Sequence, residues 1–305
     1  MRGLVRRLDD GGAATLQEPG VVVILRYSVW SRVVEAAAAA SGRLVLWYHN
    51  ITPGDLLRPW NESLAHDCDR ARAALPGIAR RARLLVADSE FNAAELEQGG
   101  RGAVIVPLLL DVPRAPLPAR PAQEPPVVLS VGRIAPSKRV DDTIKAFTLF
   151  QRHRAPDARL VLVGSEDGFR DYRIALDRLV DSLGTRGIVF TGRISDEDRN
   201  GWYRRADAYL CMSAHEGFCA PLVEAMARGV PVVARDAGAV RETIGRAGLV
   251  VDGDLPLVSE ALHEVIESPG TRQALSAAAV DRVRELDPDV VAIRLIQALA
   301  PVLPA

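Results

Sequence analysis

Short apolar, β-rich runs alternating with amphipathic stretches of helical length constrain this chain more than any other feature. In its second half the runs are Val127–Arg133, Leu160–Gly164, Ile188–Thr191, Ala208–Met212, Val230–Ala234 and Leu249–Val251, separated by helical stretches such as Val140–Arg152 and Arg170–Leu183. Strands that are apolar throughout, rather than at alternate residues, are buried on both faces. The pattern therefore predicts βαβ units and a parallel sheet covered by helices. The same alternation occurs earlier in shorter form, with Val21–Leu25, Arg43–His49, Leu84–Ala87 and Val104–Val106 as strands. There Ala65–Arg83 reads as helical, broken near Pro76 and Gly77, and from about Pro256 onward the chain reads as two or three helices.

Between the halves, 7 of the 20 prolines fall within Pro107–Pro126, a stretch that can continue neither a helix nor a central strand. At roughly 100–200 residues per domain, the 305 residues divide into a short N-terminal Rossmann-like domain over 1–112 and a linker over 113–126. A second Rossmann-like domain follows over 127–287, then a C-terminal helix over 288–305 placed to pack back toward the first domain. The expected fold is α/β, two Rossmann-like domains facing across a cleft, the N-terminal one incomplete. Ligands of such sheets sit beyond the carboxyl ends of the strands.

The charge balance, 38 Lys plus Arg against 39 Asp plus Glu, gives no electrostatic reason to expect a nucleic acid partner. Apolar residues at 48% suffice for a large core. The longest nearly apolar run, Ala103–Leu110, is interrupted by Pro107 and is far below the ~20 residues of a spanning helix. Asp9 and Asp10 stand where a signal peptide needs apolar residues. Cys68, Cys211 and Cys219 form no C-x-x-C, which predicts neither a disulfide framework nor a zinc site. A cytoplasmic location is expected, with any membrane contact peripheral at the inner face.

The most informative stretch is Ser213–Ala234, SAHEGFCAPLVEAMARGVPVVA. A strand ends near Ser213, a tight loop containing Gly217 follows, and Pro221 favours a helix start. The free N–H groups and positive dipole end of that helix would face the cleft and suit a phosphate. Glu216 lies in the loop and Glu224 in the first helical turn, where a carboxylate can accept both hydroxyls of a ribose diol. The plainer alternative is that Glu216 caps a turn and Glu224 complements the helix dipole. In Val127–Lys138 (VVLSVGRIAPSK) a strand runs into Gly132-Arg133, with Lys138 five positions on. Lys138 is one of only two lysines in the chain, which makes an incidental surface role less apt for it than for Arg133.

These segments resemble the E-x7-E signature and the Gly-Arg…Lys pair of family 4 retaining glycosyltransferases, which have the two-domain GT-B fold. The match runs through Glu216-Gly-Phe-Cys-Ala-Pro-Leu-Val-Glu224 into Gly229-Val-Pro-Val-Val. The resemblance implies that Arg133 and Lys138 grip the donor diphosphate, a task suited to a forked guanidinium and a compact ammonium. It places Glu224 at the ribose, with Glu216 and the Gly217–Ala220 backbone at the donor sugar. Leu46–Pro53 (LWYHNITP) resembles the strand end that brings an N-domain histidine to the reacting centre, so His49 is a candidate catalytic residue, exposed to the cleft with Asn50. Other family-like pieces are Ala87-Asp88-Ser89-Glu90 before a helix and Gly192-Arg193 entering Ser195–Asp198. In the family the latter loop borders the nucleobase, although Ser195 is equally a natural N-cap.

The candidate site is thus His49, Arg133, Lys138 and Glu216 for catalysis. For donor binding it is Gly132, Arg133, Lys138, Gly164, Arg193, Ile194, Glu216, Gly217, Phe218, Cys219, Ala220, Pro221, Leu222 and Glu224. No cofactor beyond a UDP- or GDP-sugar co-substrate is expected, and the acceptor is a glycan, a lipid-linked group or a small molecule. D-x-D strings at Asp67, Asp196, Asp252 and Asp287 are too frequent to be specific, and no metal site is expected. Arg70, Arg72, Arg80, Arg81 and Arg83 flank the interrupted helix and read as a solvated face, or alternatively as a membrane- or acceptor-facing one. Family members usually begin with a strand and a Gly-rich loop before the first helix. Here the first convincing strand is Val21–Leu25, so the N-domain is short by one or two βα units. A truncated reading frame, rearranged acceptor binding and impaired activity all stay open. The expected function is metal-independent hexosyl transfer with retention; the alternative is a catalytically impaired nucleotide-sugar-binding partner of an active enzyme.

Overall fold

The computed structural model describes residues 21–39, 44–97, 102–113 and 125–303. The N-terminal sheet has four parallel strands in sequential order, β1 (Val23–Tyr27), β2 (Leu44–Tyr48), β3 (Leu84–Ala87) and β4 (Val104–Ile105). Helices α1 (Arg32–Ala39), α2 (Glu62–Arg81) and α3 (Glu90–Glu97) connect them. The second sheet is built from β5 (Val127–Val131), β6 (Arg159–Val163), β7 (Ile188–Gly192), β8 (Ala208–Cys211), β9 (Val232–Arg235) and β10 (Gly248–Val251). Its order is β7-β6-β5-β8-β9-β10, parallel throughout. This is the doubly wound order, and it reverses direction between β5 and β8. The intervening helices are α4 (Val140–His153), α5 (Arg170–Leu183), α6 (Asp196–Arg205), α7 (Ala220–Ala227) and α8 (Val240–Ile244). Helices α9 (Leu255–Glu267), α10 (Pro269–Glu285) and α11 (Pro288–Leu299) close the chain. Every expected strand is present within about two residues, and the two-sheet α/β architecture is as the alternation requires.

The apolar strands of the second sheet feed cores on both faces. Leu160, Leu162, Leu210 and Val233 pack with Phe147 and Phe150 of α4 and Leu262 and Val265 of α9. Their sequence neighbours Val161, Val163, Tyr209, Val232 and Ala234 pack with Tyr203, Leu222, Met226 and Val283 on the other side. Alternate residues thus serve opposite cores, as the pleat dictates. Val291 and Val302 cluster with Val45, Val86 and Val106, so α11 returns across the chain to the first sheet. Residues 114–124, the middle of the proline-rich stretch, lie outside the described residues, while Val112 is already buried in the second core.

One expectation fails. The break at Pro76 and Gly77 is absent, and α2 runs unbroken from Glu62 to Arg81 behind an Asn61 cap that accepts from the Leu64 N–H. An interior proline costs a helix about 3 kcal/mol. Burial of Ala65, Cys68, Ala71, Leu75, Ile78 and Ala79 on one face outweighs it. Nor is Arg72 on a solvated face: its guanidinium pairs with Glu95 at 3.3 Å and donates to the Ile51 carbonyl.

Candidate functional site

The reversal of strand order at β5 and β8 opens a crevice at their carboxyl ends, and the two segments singled out by sequence emerge there. The loop after β5 is tied to β6 and its following loop by Gly132 N–H to Val163 O (2.9 Å) and Ile134 N–H to Ser165 O (2.8 Å). Gly164 is required at this junction, because a Cβ there would lie 1.9 Å from the Gly132 carbonyl oxygen. A short turn at Pro136–Lys138 follows, and the Ser137 carbonyl accepts from Ala214 N–H at 2.9 Å, joining the β5 loop to the β8 loop. That bond sets Lys138 against Glu216, with Nζ 2.5 Å from Oε1.

Burial pushes the Lys138 ammonium down, but the Glu216 carboxylate outweighs it and holds the group above its ordinary range. Burial likewise raises Glu216, and Lys138 with hydrogen bonds from Ser213 and Cys219 brings it below the ordinary value. Both groups are charged across the neutral range. Gly238 passes so close that a Cβ would meet the Glu216 carbonyl oxygen at 2.2 Å, so the loop after β9 braces Glu216 from behind.

Opposite lies the end of β2. His49 Nδ1 bonds Asp88 Oδ2 at 2.8 Å, Trp47 Nε1–H donates to Asp88 Oδ1 at 2.8 Å, and Arg26 Nε–H donates to His49 Nε2 at 2.8 Å. Because Arg26 can only donate, Nε2 is the acceptor and the ring proton sits on Nδ1, facing Asp88. Asp88 is 2% exposed and its two oxygens are both engaged. His49, Asp88 and Arg26 on one side and Lys138, Glu216 and Gly217–Pro221 on the other line a single cleft of about 540 Å³.

Other expected site residues sit differently. Glu224 falls beyond the first turn of α7, whose helical residues begin at Ala220, so it does not complement the dipole there. Its Oε2 accepts from Tyr203 Oη at 2.8 Å and its Oε1 lies 3.7 Å from Arg199. Arg133 is exposed, its guanidinium 5.1 Å from the centre of the Phe169 ring. Arg193 is mostly exposed and paired with Asp167 at 2.8 Å, while Ile194 is partly buried against the second core. The side chains of Leu222 and Phe218 are buried in that core, leaving only their backbone for any ligand. Ser195 is the N-cap of α6, accepting from Asp198 N–H. Cys219 precedes α7 with φ +66°, a left-handed conformation costly for a side chain with a Cβ.

Asn50 is not exposed to the cleft. It is 7% exposed, bonded to Asn92 Oδ1 at 2.8 Å, and its Oδ1 accepts from His215 Nε2. A Cβ on Gly217 would lie 2.4 Å from Asn50 Cβ, so this glycine admits the N-terminal wall. Ser89 Oγ donates to Gly217 O at 2.7 Å. Glu242 accepts from Glu90 N–H (2.8 Å) and Phe91 N–H (3.3 Å), capping α3 across the cleft. Sequence reasoning missed Arg26, Glu242 and His215, and quoted Asp88 without a role. Only His215, beside Glu216 in the signature, carried a local signal. It also missed that Cys211, Glu216 and Cys219, spread over nine positions, converge with their ligand atoms within 4.8 Å of one another.

The same two-sheet arrangement is found in sucrose-phosphate synthase from Thermosynechococcus elongatus, with a TM-score of 0.75 at 20% identity over 92% of this chain and 73% of that one. Anabaena HepE in complex with UDP and glucose superposes with a TM-score of 0.72 at 22% identity, over 88% and 76% of the respective chains. The fold is GT-B. The family model described as "Glycosyl transferases group 1" matches residues 117–282, and the chain belongs to that family. Phosphatidyl-myo-inositol mannosyltransferase of Mycobacterium leprae is 30% identical over 86% of this chain and 68% of its own length. A GDP-mannose-dependent monoacylated α-(1-6)-phosphatidylinositol monomannoside mannosyltransferase of Corynebacterium glutamicum is 36% identical over 50% of this chain. That match spans 41% of the relative, so the chain covers less than half of its length.

Proposed function

We propose that the chain transfers a hexose, with retention and without a metal, from a nucleoside-diphosphate sugar to a hydroxyl acceptor. The observation that carries this reading is the facing of His49–Asp88 and Lys138–Glu216 across one cleft, at the switch point and beside the start of α7. The Lys138–Glu216 contact brackets the bond that must break: Lys138 faces the departing diphosphate and Glu216 the sugar. An ammonium and helix N–H groups stabilise charge that grows on the phosphate as the sugar leaves. His49, fixed by Asp88, offers Nε2 to a sugar hydroxyl in place of Arg26. The departing phosphate helps deprotonate the acceptor on the same face. Three of the relatives are named as GDP-mannose-dependent and one structural neighbour holds UDP with glucose, which supports GDP-mannose and UDP-glucose as the first donors to try. Relatives named as mannosyltransferases of phosphatidylinositol monomannoside and of phosphatidyl-myo-inositol favour lipid-linked or glycan acceptors.

The test is turnover of these donors, with and without acceptors, in excess chelator. Glu216→Gln is expected to lower kcat while free nucleotide binds almost normally. Glu224→Gln is expected to weaken free nucleotide and raise KM, since a ribose contact is equal in ground and transition states. Normal turnover and nucleotide affinity in both variants, or dependence on metal, would overturn the assignment. Donor binding without any turnover would instead favour an inactive sugar-nucleotide-binding partner.

A further inference from the structure

The thiols of Cys211 and Cys219 lie 3.9 Å apart, both buried, with a carboxylate oxygen of Glu216 within 4.8 Å of each. Two thiolates on one tetrahedral zinc, each at about 2.3 Å, stand about 3.8 Å apart. A disulfide needs about 2.0 Å. The spacing is that of a chelate. Cys219 holds this position at a left-handed φ of +66°, a conformation that glycine adopts without strain. The thiol at that point is what the strain retains.

We propose that Cys211, Glu216 and Cys219 form a site for a soft divalent cation, Zn²⁺ or Cd²⁺, and that its occupancy shuts the donor cleft. Lys138 bonds Glu216 Oε1, and a metal would take the place of the thiol proton that Cys219 directs at the same carboxylate. Two thiolates and a carboxylate exceed a divalent charge by one negative unit, and the Lys138 ammonium balances it as an outer partner of the ligating carboxylate. Glu216 and Cys219 both line the 540 Å³ cleft, which supplies the entry path and the open fourth position for water. Binding displaces the two thiol protons to solvent and changes no oxidation state. With the metal held, Glu216 and the Cys219 end of the loop are no longer available to a donor. Only this inhibitory consequence rests on the proposed function; the site itself does not.

The test is titration of the full chain with Cd²⁺, followed by the ultraviolet thiolate-to-cadmium charge-transfer band and by calorimetry. One cation per chain is expected, with the band retained in Cys68→Ala and lost in both Cys211→Ala and Cys219→Gly. Glycine accepts the Cys219 backbone, so that variant folds even where Cys211→Ala does not. Glu216→Gln should weaken Cd²⁺ about tenfold, the effect of losing one charged ligand. No band, or a band that survives both cysteine variants, would overturn the site, and unchanged affinity in Glu216→Gln would remove the carboxylate from it. Cd²⁺ should also weaken GDP or UDP binding about tenfold in the parent, as competition for the same loop requires, with recovery on chelation. Unchanged nucleotide affinity at saturating Cd²⁺ would overturn the inhibitory role while leaving the site in place.

Discussion

The ion pair Lys138–Glu216 is the single contact on which the site depends most. Glu216 is held below its ordinary value of 4.5, so its contribution to stability is complete above that value and is lost as the pH falls through the depressed one. Lys138 is held above its ordinary 10.5, so its contribution is complete below that value and is lost as the pH rises past the raised one. Lys138→Met leaves the Glu216 carboxylate buried without its ammonium. Because about a third of the Lys138 side chain stays in water, the loss at neutral pH should be about 2–4 kcal/mol, at the low end for a broken buried pair. Below about pH 4.5 the gap should narrow as Glu216 takes up a proton. Melting curves of parent and variant at both pH values check this, and a constant gap would refute it. At the opposite wall, Asp88 acts through His49. Asp88→Asn keeps the shape but no longer fixes the proton on Nδ1. It should lower kcat about 10- to 100-fold, the worth of a charge-assisted hydrogen bond, with free nucleotide binding unchanged. Equal losses in kcat and nucleotide affinity would assign Asp88 to the fold alone.

At the scale of elements, local pattern carried the strands well because most are runs of consecutive apolar residues bounded by turn residues. Arg170–Leu183 is helical over the expected residues, and the Ser195 cap is where its side chain predicted. The failures have a common cause. Pro76 opposes its helix locally and is overruled by burial on one face. Glu224 is one residue too deep in α7 to meet the helix end, because the helix start depends on Cys219 adopting a left-handed backbone that no cysteine announces. The Gly132–Lys138 and Glu216–Glu224 segments were legible because each is contiguous. Arg26, Asp88 and Glu242 act through partners 23, 39 and about 150 positions away, and nothing local reports that. Gly238 belongs to the same hidden class. Its φ of +56° and the 2.2 Å clash of a Cβ with the Glu216 carbonyl oxygen exclude alanine without movement. Gly238→Ala should cost about 2 kcal/mol or more and shift the Glu216 loop, read as a lower melting temperature together with weaker donor turnover. A variant as stable as the parent would show that the loop after β9 does not brace the site.

For the whole molecule the question is what holds the two sheets across their cleft. Besides the packing of Val291 and Val302 on the first sheet, the polar contacts among the described residues include Ser89 to Gly217, Glu242 capping α3, Asn61 Nδ2 to Gly168 O at 2.9 Å, and His215 to Asn50. His215 is held below its ordinary 6.5, first by burial and then by the Arg72 and Lys138 cations, with Glu95 and Glu216 pulling the other way. Its ring stands edge-on to Phe91. A histidine kept neutral in the folded state stabilises it above the ordinary value, and that contribution is lost as the pH falls below 6.5 toward the depressed one. The decline therefore originates at the bridging residue next to Glu216. His215→Gln, whose amide can still donate to Asn50, should keep stability near neutral pH and remove the part of the decline that begins below 6.5. Melting temperatures of parent and variant followed from pH 7.5 to 5.5, a span of about two units around the ordinary histidine value, decide it: parallel curves would mean that His215 plays no part in joining the two halves.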